Sequence, residues 1–126
     1  MRFTLRTELD DEHELVSPND MEWAVFRLVD EPGSFLVVEP ESPIDGITYM
    51  QAAYIRKTKG IFRKTVIASY CQVEAQEEKA NGDLYQYVLE IEDWDAILDI
   101  FTDFAFSERV PDFSAWQCEL FCKAEE

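Results

Sequence analysis

Asp95, Asp99 and Asp103 recur at four-residue intervals with no lysine or arginine between them. On a helix this spacing stacks three like charges along one face, at about 0.2–0.5 kcal/mol per pair. The chemistry on offer is electrostatic: a negative face for a basic partner, or a solvated exterior in which Asp95 suits the positive end of the helix dipole. A second acidic group, Asp10, Asp11, Glu12 and Glu14, surrounds the single histidine, His13. Hard oxygen ligands suit a cation such as Ca²⁺, but this run lacks the spacing and the glycine of a Ca²⁺ loop, so no metal is expected. It reads instead as further contact surface for the same basic partner.

The cations are gathered elsewhere. Arg56, Lys57, Lys59, Arg63 and Lys64 fall between Gly46 and Val73, a segment without a single Asp or Glu. The rest of the chain then holds six cations against 27 acids, a net −21. With Tyr54 and Phe62 nearby, a basic hairpin here offers charge and stacking platforms for phosphates. A body at −21 repels an approaching polyanion, so a nucleic-acid partner is the weaker reading. A solvated tip, or neutralisation of acids on adjacent strands, is the stronger one.

Catalytic settings are missing. No Gly-x-Ser-x-Gly, His-Glu-x-x-His or glycine-rich phosphate loop occurs, and His13 lies in a polar run with no nucleophile at hand. Cys71, Cys118 and Cys122 with one histidine do not make a zinc set. On a strand, Cys118 and Cys122 share a side with Leu120 and read as buried thiols. Trp23, Trp94 and Trp116 read as core anchors. Carboxylate pairs for glycoside chemistry carry no information among 27 acids. The expectation is a non-enzymatic chain with no cofactor.

The elements that must display these groups are mostly strands. Arg2 to Leu9 alternates, with Phe3, Leu5 and Leu9 on one face. Asp10 to Asp20 reads as a polar connection. Trp23 to Val29 and Phe35 to Val38 are apolar runs around Asp30-Glu31-Pro32-Gly33, which predicts a hairpin. Pro40 and Pro43 interrupt the ladder, and Asp45-Gly46 opens a turn before a strand over Ile47–Ile55. Arg56 to Gly60 reads as the next turn and Ile61 to Glu74 as extended. Asn81-Gly82 predicts a two-residue hairpin loop, after which Tyr85, Tyr87, Leu89 and Ile91 share a face. Helical period occurs once: behind the N-cap candidate Asp93, Trp94, Ile97, Leu98, Phe101, Phe104 and Ala105 line one side. Gln117 to Lys123 predicts a last strand. The sum is a single α+β domain over residues 1–126. It has a twisted, mainly antiparallel sheet of about six strands and one main helix, about 93–106, packed on one face.

Composition agrees with a folded core: 126 residues, 47% hydrophobic and 13% aromatic, at a net charge of −16. The opening residues lack the apolar run of a secretory signal, and no stretch reaches the length of a membrane helix. The odd cysteine count argues for a reducing compartment, so a bacterial-type cytoplasmic protein off the membrane is expected.

Several features together resemble the small acidic α+β immunity proteins of bacterial polymorphic and contact-dependent toxin systems. These are the short acidic domain, a Trp-bearing first hairpin and Asp45-Gly46 before a strand through Gln51-Ala52. A late helix and the segment Pro111-Asp112-Phe113-Ser114-Ala115-Trp116 complete the set. The resemblance implies an inhibitor that binds a basic toxin, such as a nuclease; it carries over no site residues. Two other classes stand beside it. One is an interaction or regulatory protein, with homodimerisation by sheet-edge pairing open to it. The other is a small enzyme or ligand-binding domain with a pocket between sheet and helix.

Overall fold

Asp45 and Gly46 both take positive φ, 49° and 83°, and so turn the chain in two residues: Ile44 and Ile47 exchange N–H···O bonds of 3.1 and 2.8 Å across them. A turn of that hand matches strand twist, and it closes one isolated bridge at the start of the strand that begins at Ile47. In the computed structural model, which describes residues 1–9, 12–15, 17–30, 34–63 and 65–123, seven strands form one sheet. They are β1 (Phe3–Thr7), β2 (Glu12–Glu14), β3 (Phe35–Pro40), β4 (Ile47–Lys59), β5 (Thr65–Glu78), β6 (Leu84–Ile91) and β7 (Gln117–Cys122). The order is β2-β1-β3-β4-β5-β6-β7, antiparallel at every pairing. Two helices, α1 (Pro18–Asp30) and α2 (Trp94–Ser107), pack on each other, and both contact β3. The architecture is α+β, as the sequence predicts.

Register explains the two faces. The Cα-paired row Leu5–Val38–Met50–Ala75–Tyr87 crosses five strands, and Thr7–Leu36–Ala52–Val73–Leu89 runs beside it. From β1 to β5 both rows are buried, on the side of the helices. Between them runs Arg6–Val37–Gln51–Glu74–Val88–Gln117, which has the opposite parity and leaves the other face of the sheet open.

α2 lies where its period placed it. The Asp93 carboxylate caps it by accepting from the amides of Asp95 and Ala96 at 3.1 and 3.2 Å. Ile97, Phe101, Phe104 and Ala105 are buried, with Phe104 edge-on to Phe3 at 5.5 Å. Glu108 ends the helix in the left-handed region.

The stretch Trp23–Val29 is helix, not strand, so the predicted first hairpin does not exist and Trp23 belongs to α1. Met21, Ala24, Val25 and Leu28, at i, i+3, i+4 and i+7, are the buried stripe. Trp23 and Phe26 interleave with them but face solvent, 49% and 66% exposed, which made the run look continuously apolar. Pro18, in place of a hydrogen-bonded residue, opens the helix at the position that tolerates it. The polar connection expected over Asp10–Asp20 instead includes β2 and the start of α1. Of the turn expected at Asp30–Gly33, residues 31–33 lie outside the described residues.

Other differences are smaller. β4 runs on through Arg56, Lys57 and Lys59, so the turn comes after Gly60 rather than before it. Between β5 and β6 lie residues 79–83, not a two-residue loop: Lys79 donates to the Asp83 carbonyl at 2.8 Å, which leaves three residues inside that pair, and Gly82 donates to the Lys79 carbonyl at 2.9 Å and takes φ 92°. Cys118 and Cys122 are exposed on the edge strand β7, while Cys71 is buried. Leu9 is exposed and Thr7 takes the buried place.

Candidate functional site

Asp95, Asp99 and Asp103 all point away from the buried stripe of α2 and are exposed. Asp99 and Asp103 rim a hollow of about 250 Å³ whose floor is Ile100, Val110 and Pro111. Asp112 and Arg109, from the segment after the helix, complete the rim. The Asp112 carboxylate accepts the Ser114 amide at 3.0 Å, a bond that lowers its pKa below the usual carboxylate value. Asp95 borders a separate hollow of about 160 Å³ between the helices, with Glu22 and Phe26 of α1 and Trp94 and Leu98 of α2. Among the described residues no ion pair engages Asp95, Asp99 or Asp103. An apolar floor with an acidic rim suits the long apolar stem and charged head of a lysine or arginine.

The other acidic group is not gathered here. Glu12 and Glu14 lie on β2 at the sheet edge, opposite Arg6 and Thr4 of β1. Glu14 meets Arg2 at 3.7 Å, a solvated pair of little energetic weight. Asp10 and Asp11 lie outside the described residues. His13, exposed on β2, sits opposite Leu5.

The cations occupy an arm rather than a turn. β3 pairs with β4 only as far as Ala53, and β6 meets β5 from Cys71 onward. After one further bond, from the Tyr54 amide to the Ser34 carbonyl at 3.1 Å, β4 and β5 pair among the described residues only with each other, down to Lys59 opposite Thr65. Arg56, Lys57 and Lys59 are exposed on this ribbon, and Arg63 is exposed near its end; Lys64 lies outside the described residues. Arg56 stands 5.6 Å over the Tyr54 ring and Lys57 5.5 Å over that of Tyr70, so aromatics pin two cations. Hydrogen bonds from Ser69 and Arg56 lower the Tyr54 pKa. Among the described residues no strand flanks the ribbon, and none of the ion pairs engages Arg56, Lys57, Lys59 or Arg63. At the tip Ile61 and Phe62 are 89% and 99% exposed.

On the open sheet face the Glu74 carboxylate accepts three side-chain amides: Gln51 at 2.6 Å, Gln72 at 2.5 Å and Gln86 at 2.9 Å. Tyr49 donates in turn to Gln86 at 3.5 Å. This network lines a broad hollow of about 540 Å³ that reaches Glu90, Glu119 and Phe121. It adjoins a more apolar hollow of about 310 Å³ against Phe35, Val37, Ala53 and Ile55. Between the sheet and the helices, by contrast, the space is filled by the core. Among the described residues no three His, Cys, Asp or Glu side chains converge as a metal site.

Phe26, Glu22, Asp112 and the Glu74 network escape a reading of the sequence. Phe26 and Glu22 needed α1 to be recognised; the glutamines are ordinary polar residues until the register brings three strands together. Their one signal was alternation, visible as Tyr49-x-Gln51-x-Ala53 and Gln72-x-Glu74-x-Gln76. No helix among the described residues is long and apolar enough to cross a membrane. No protein-family model, no curated protein and no solved structure matches this chain.

Proposed function

We propose that this chain is a non-enzymatic acidic binding protein whose partner is a basic macromolecule, met by the outer face of α1 and α2. One observation carries the reading: Phe26, two-thirds exposed, shares a hollow with Asp95 and Glu22, and the same helix α2 carries Asp99 and Asp103 on the rim of a second hollow with Asp112. An exposed aromatic beside acids that have no ion pair among the described residues combines the two parts of a protein interface. The apolar anchor sets the lifetime of a complex, and the charge speeds encounter and selects partners. The resemblance to immunity proteins, which rests on the acidic domain, Asp45-Gly46, the late helix and residues 111–116 without the Trp-bearing hairpin, gives this a specific form: inhibition of a basic toxin such as a nuclease, whose phosphate-attracting cleft carries the complementary charge.

Affinity capture from lysate of the native organism, at low and at high salt, tests the reading. Wild type should retain a basic protein most strongly at low salt, because screening weakens exposed charge pairs. Asp95→Lys/Asp99→Lys/Asp103→Lys should lose it, Phe26→Ser should shorten the complex's lifetime, and Glu12→Lys/Glu14→Lys should change little. Capture of the same protein by the triple variant, with the same salt response, would overturn the assignment of this face.

A further inference from the structure

We propose that the β4–β5 ribbon is a clasp: its Ile61–Phe62 tip seats in the apolar hollow on the open sheet face of a second copy of this chain, which returns the contact. The tip is the most exposed apolar group among the described residues, with Phe62 at 99%. It stands about 17 Å beyond the last flanking strand, taking roughly 3.3 Å per residue over the five residues from Ile55 to Lys59. The ribbon carries the tip away from its own hollow, which lies at the ribbon's root around Phe35, Val37, Ala53 and Ile55. A second copy related by a two-fold axis, with its ribbon antiparallel to the first, puts each tip at the other's root. One contact made twice is the self-complementary arrangement a closed dimer needs.

Charge points to the same occupant. Lys59 and Arg63 bracket the tip, and the ribbon contains no acid. Glu74, which lines the hollow, is already engaged by three glutamines, but one register row over, along Phe35–Ala53–Gln72–Glu90, the surface carries the exposed Glu90. A nucleic acid or an anionic membrane drawn to the ribbon would meet a body at −21 over its whole length, whereas a second copy, itself at −16, offers Lys59 and Arg63 a local acidic counterpart in Glu90 and an apolar seat for the tip. The clasp occupies the sheet face opposite α1 and α2, so it is independent of the function proposed above and leaves that surface free.

Sedimentation velocity across the micromolar range, on wild type and on Ile61→Ser/Phe62→Ser, provides the test. A photo-crosslinking residue at position 62 in a mixture of light and heavy isotope-labelled chains adds the site. Wild type should dimerise, and the tip variant should dissociate at least about tenfold more readily, as loss of a central aromatic anchor does. Cross-links should join light to heavy chains at residues 35–37 or 53–55. A monomeric wild type overturns the clasp, as does a dimer indifferent to the tip, cross-links elsewhere, or a tip that instead binds duplex DNA or phosphatidylserine vesicles as a monomer. Both substitutions lie at positions without a packed neighbourhood, so an intact thermal transition separates loss of the clasp from loss of the fold.

Discussion

The Tyr87 hydroxyl donates to Glu77 Oε1 at 2.7 Å, tying β6 to β5 where Lys79 also meets that carboxylate oxygen at 3.0 Å. Burial alone would push the Glu77 carboxyl up. The bonds from Tyr87 and Lys79, with the lysine's charge, outweigh it and hold the pKa below the ordinary 4.5. The bond to Glu77, helped by burial, pushes the Tyr87 hydroxyl well up.

Because the folded carboxyl of Glu77 titrates lower than the unfolded one, its stabilising effect is present above the unfolded pKa and is lost as pH falls through the folded value. Tyr87→Phe should therefore lower stability at neutral pH by about 1–2 kcal/mol, the range for a hydrogen bond to a partly exposed charged group. In strong acid the gap between variant and wild type should close. Urea titrations of both proteins at neutral pH and in strong acid measure this. The Tyr87 hydroxyl has the opposite sense: its contribution holds below its unfolded pKa and is lost as pH rises through the raised folded value.

Burial raises the Cys71 thiol to about 12, while Cys118 and Cys122 lie exposed on β7. An alkylating reagent at mildly alkaline pH should add two labels to the native protein and a third only in denaturant. Intact mass spectrometry counts them. Three labels at equal rates under native conditions would contradict the burial of β5.

α1 makes a sharp contrast between neighbouring apolar residues. Met21 and Leu28 are fully covered, so Met21→Ala or Leu28→Ala should cost about 2–5 kcal/mol. Phe26→Ala, two residues before Leu28, should stay within about 0.5 kcal/mol, as exposed positions do. Chemical denaturation separates the two outcomes; a strand over the same residues would make Trp23, Val25 and Phe26 behave differently, with alternate residues costly.

Gly46 combines a φ of 83° with a close approach: a Cβ there would stand 3.0 Å from the Glu78 carbonyl oxygen. Gly46→Ala should destabilise by about 1–3 kcal/mol through backbone strain, against near neutrality for a solvent-facing change such as Glu41→Ala. Thermal melts of the two variants give the comparison.

Residues acting on their immediate neighbours made much of this protein legible in its sequence. Asp93 caps α2 through amides two and three positions on, and the positive φ of Asp45-Gly46 belongs to the dipeptide itself. Likewise, the period of Ile97, Phe101 and Phe104 marks a buried stripe whatever covers it. The segregation of charge between residues 46–73 and the rest is likewise a property of the chain alone. Tertiary structure decided what depends on partners remote in sequence. Met21–Val29 is apolar on nearly every side, so only packing against α2 and the sheet chose the helix and turned Trp23 and Phe26 outward. Asp112 joins Asp99 and Asp103, and three glutamines from three strands converge on Glu74, because register sets those distances. The cysteines of β7 are exposed for the same kind of reason: an edge strand is buried only if something covers it, and no local pattern of residues says whether anything does.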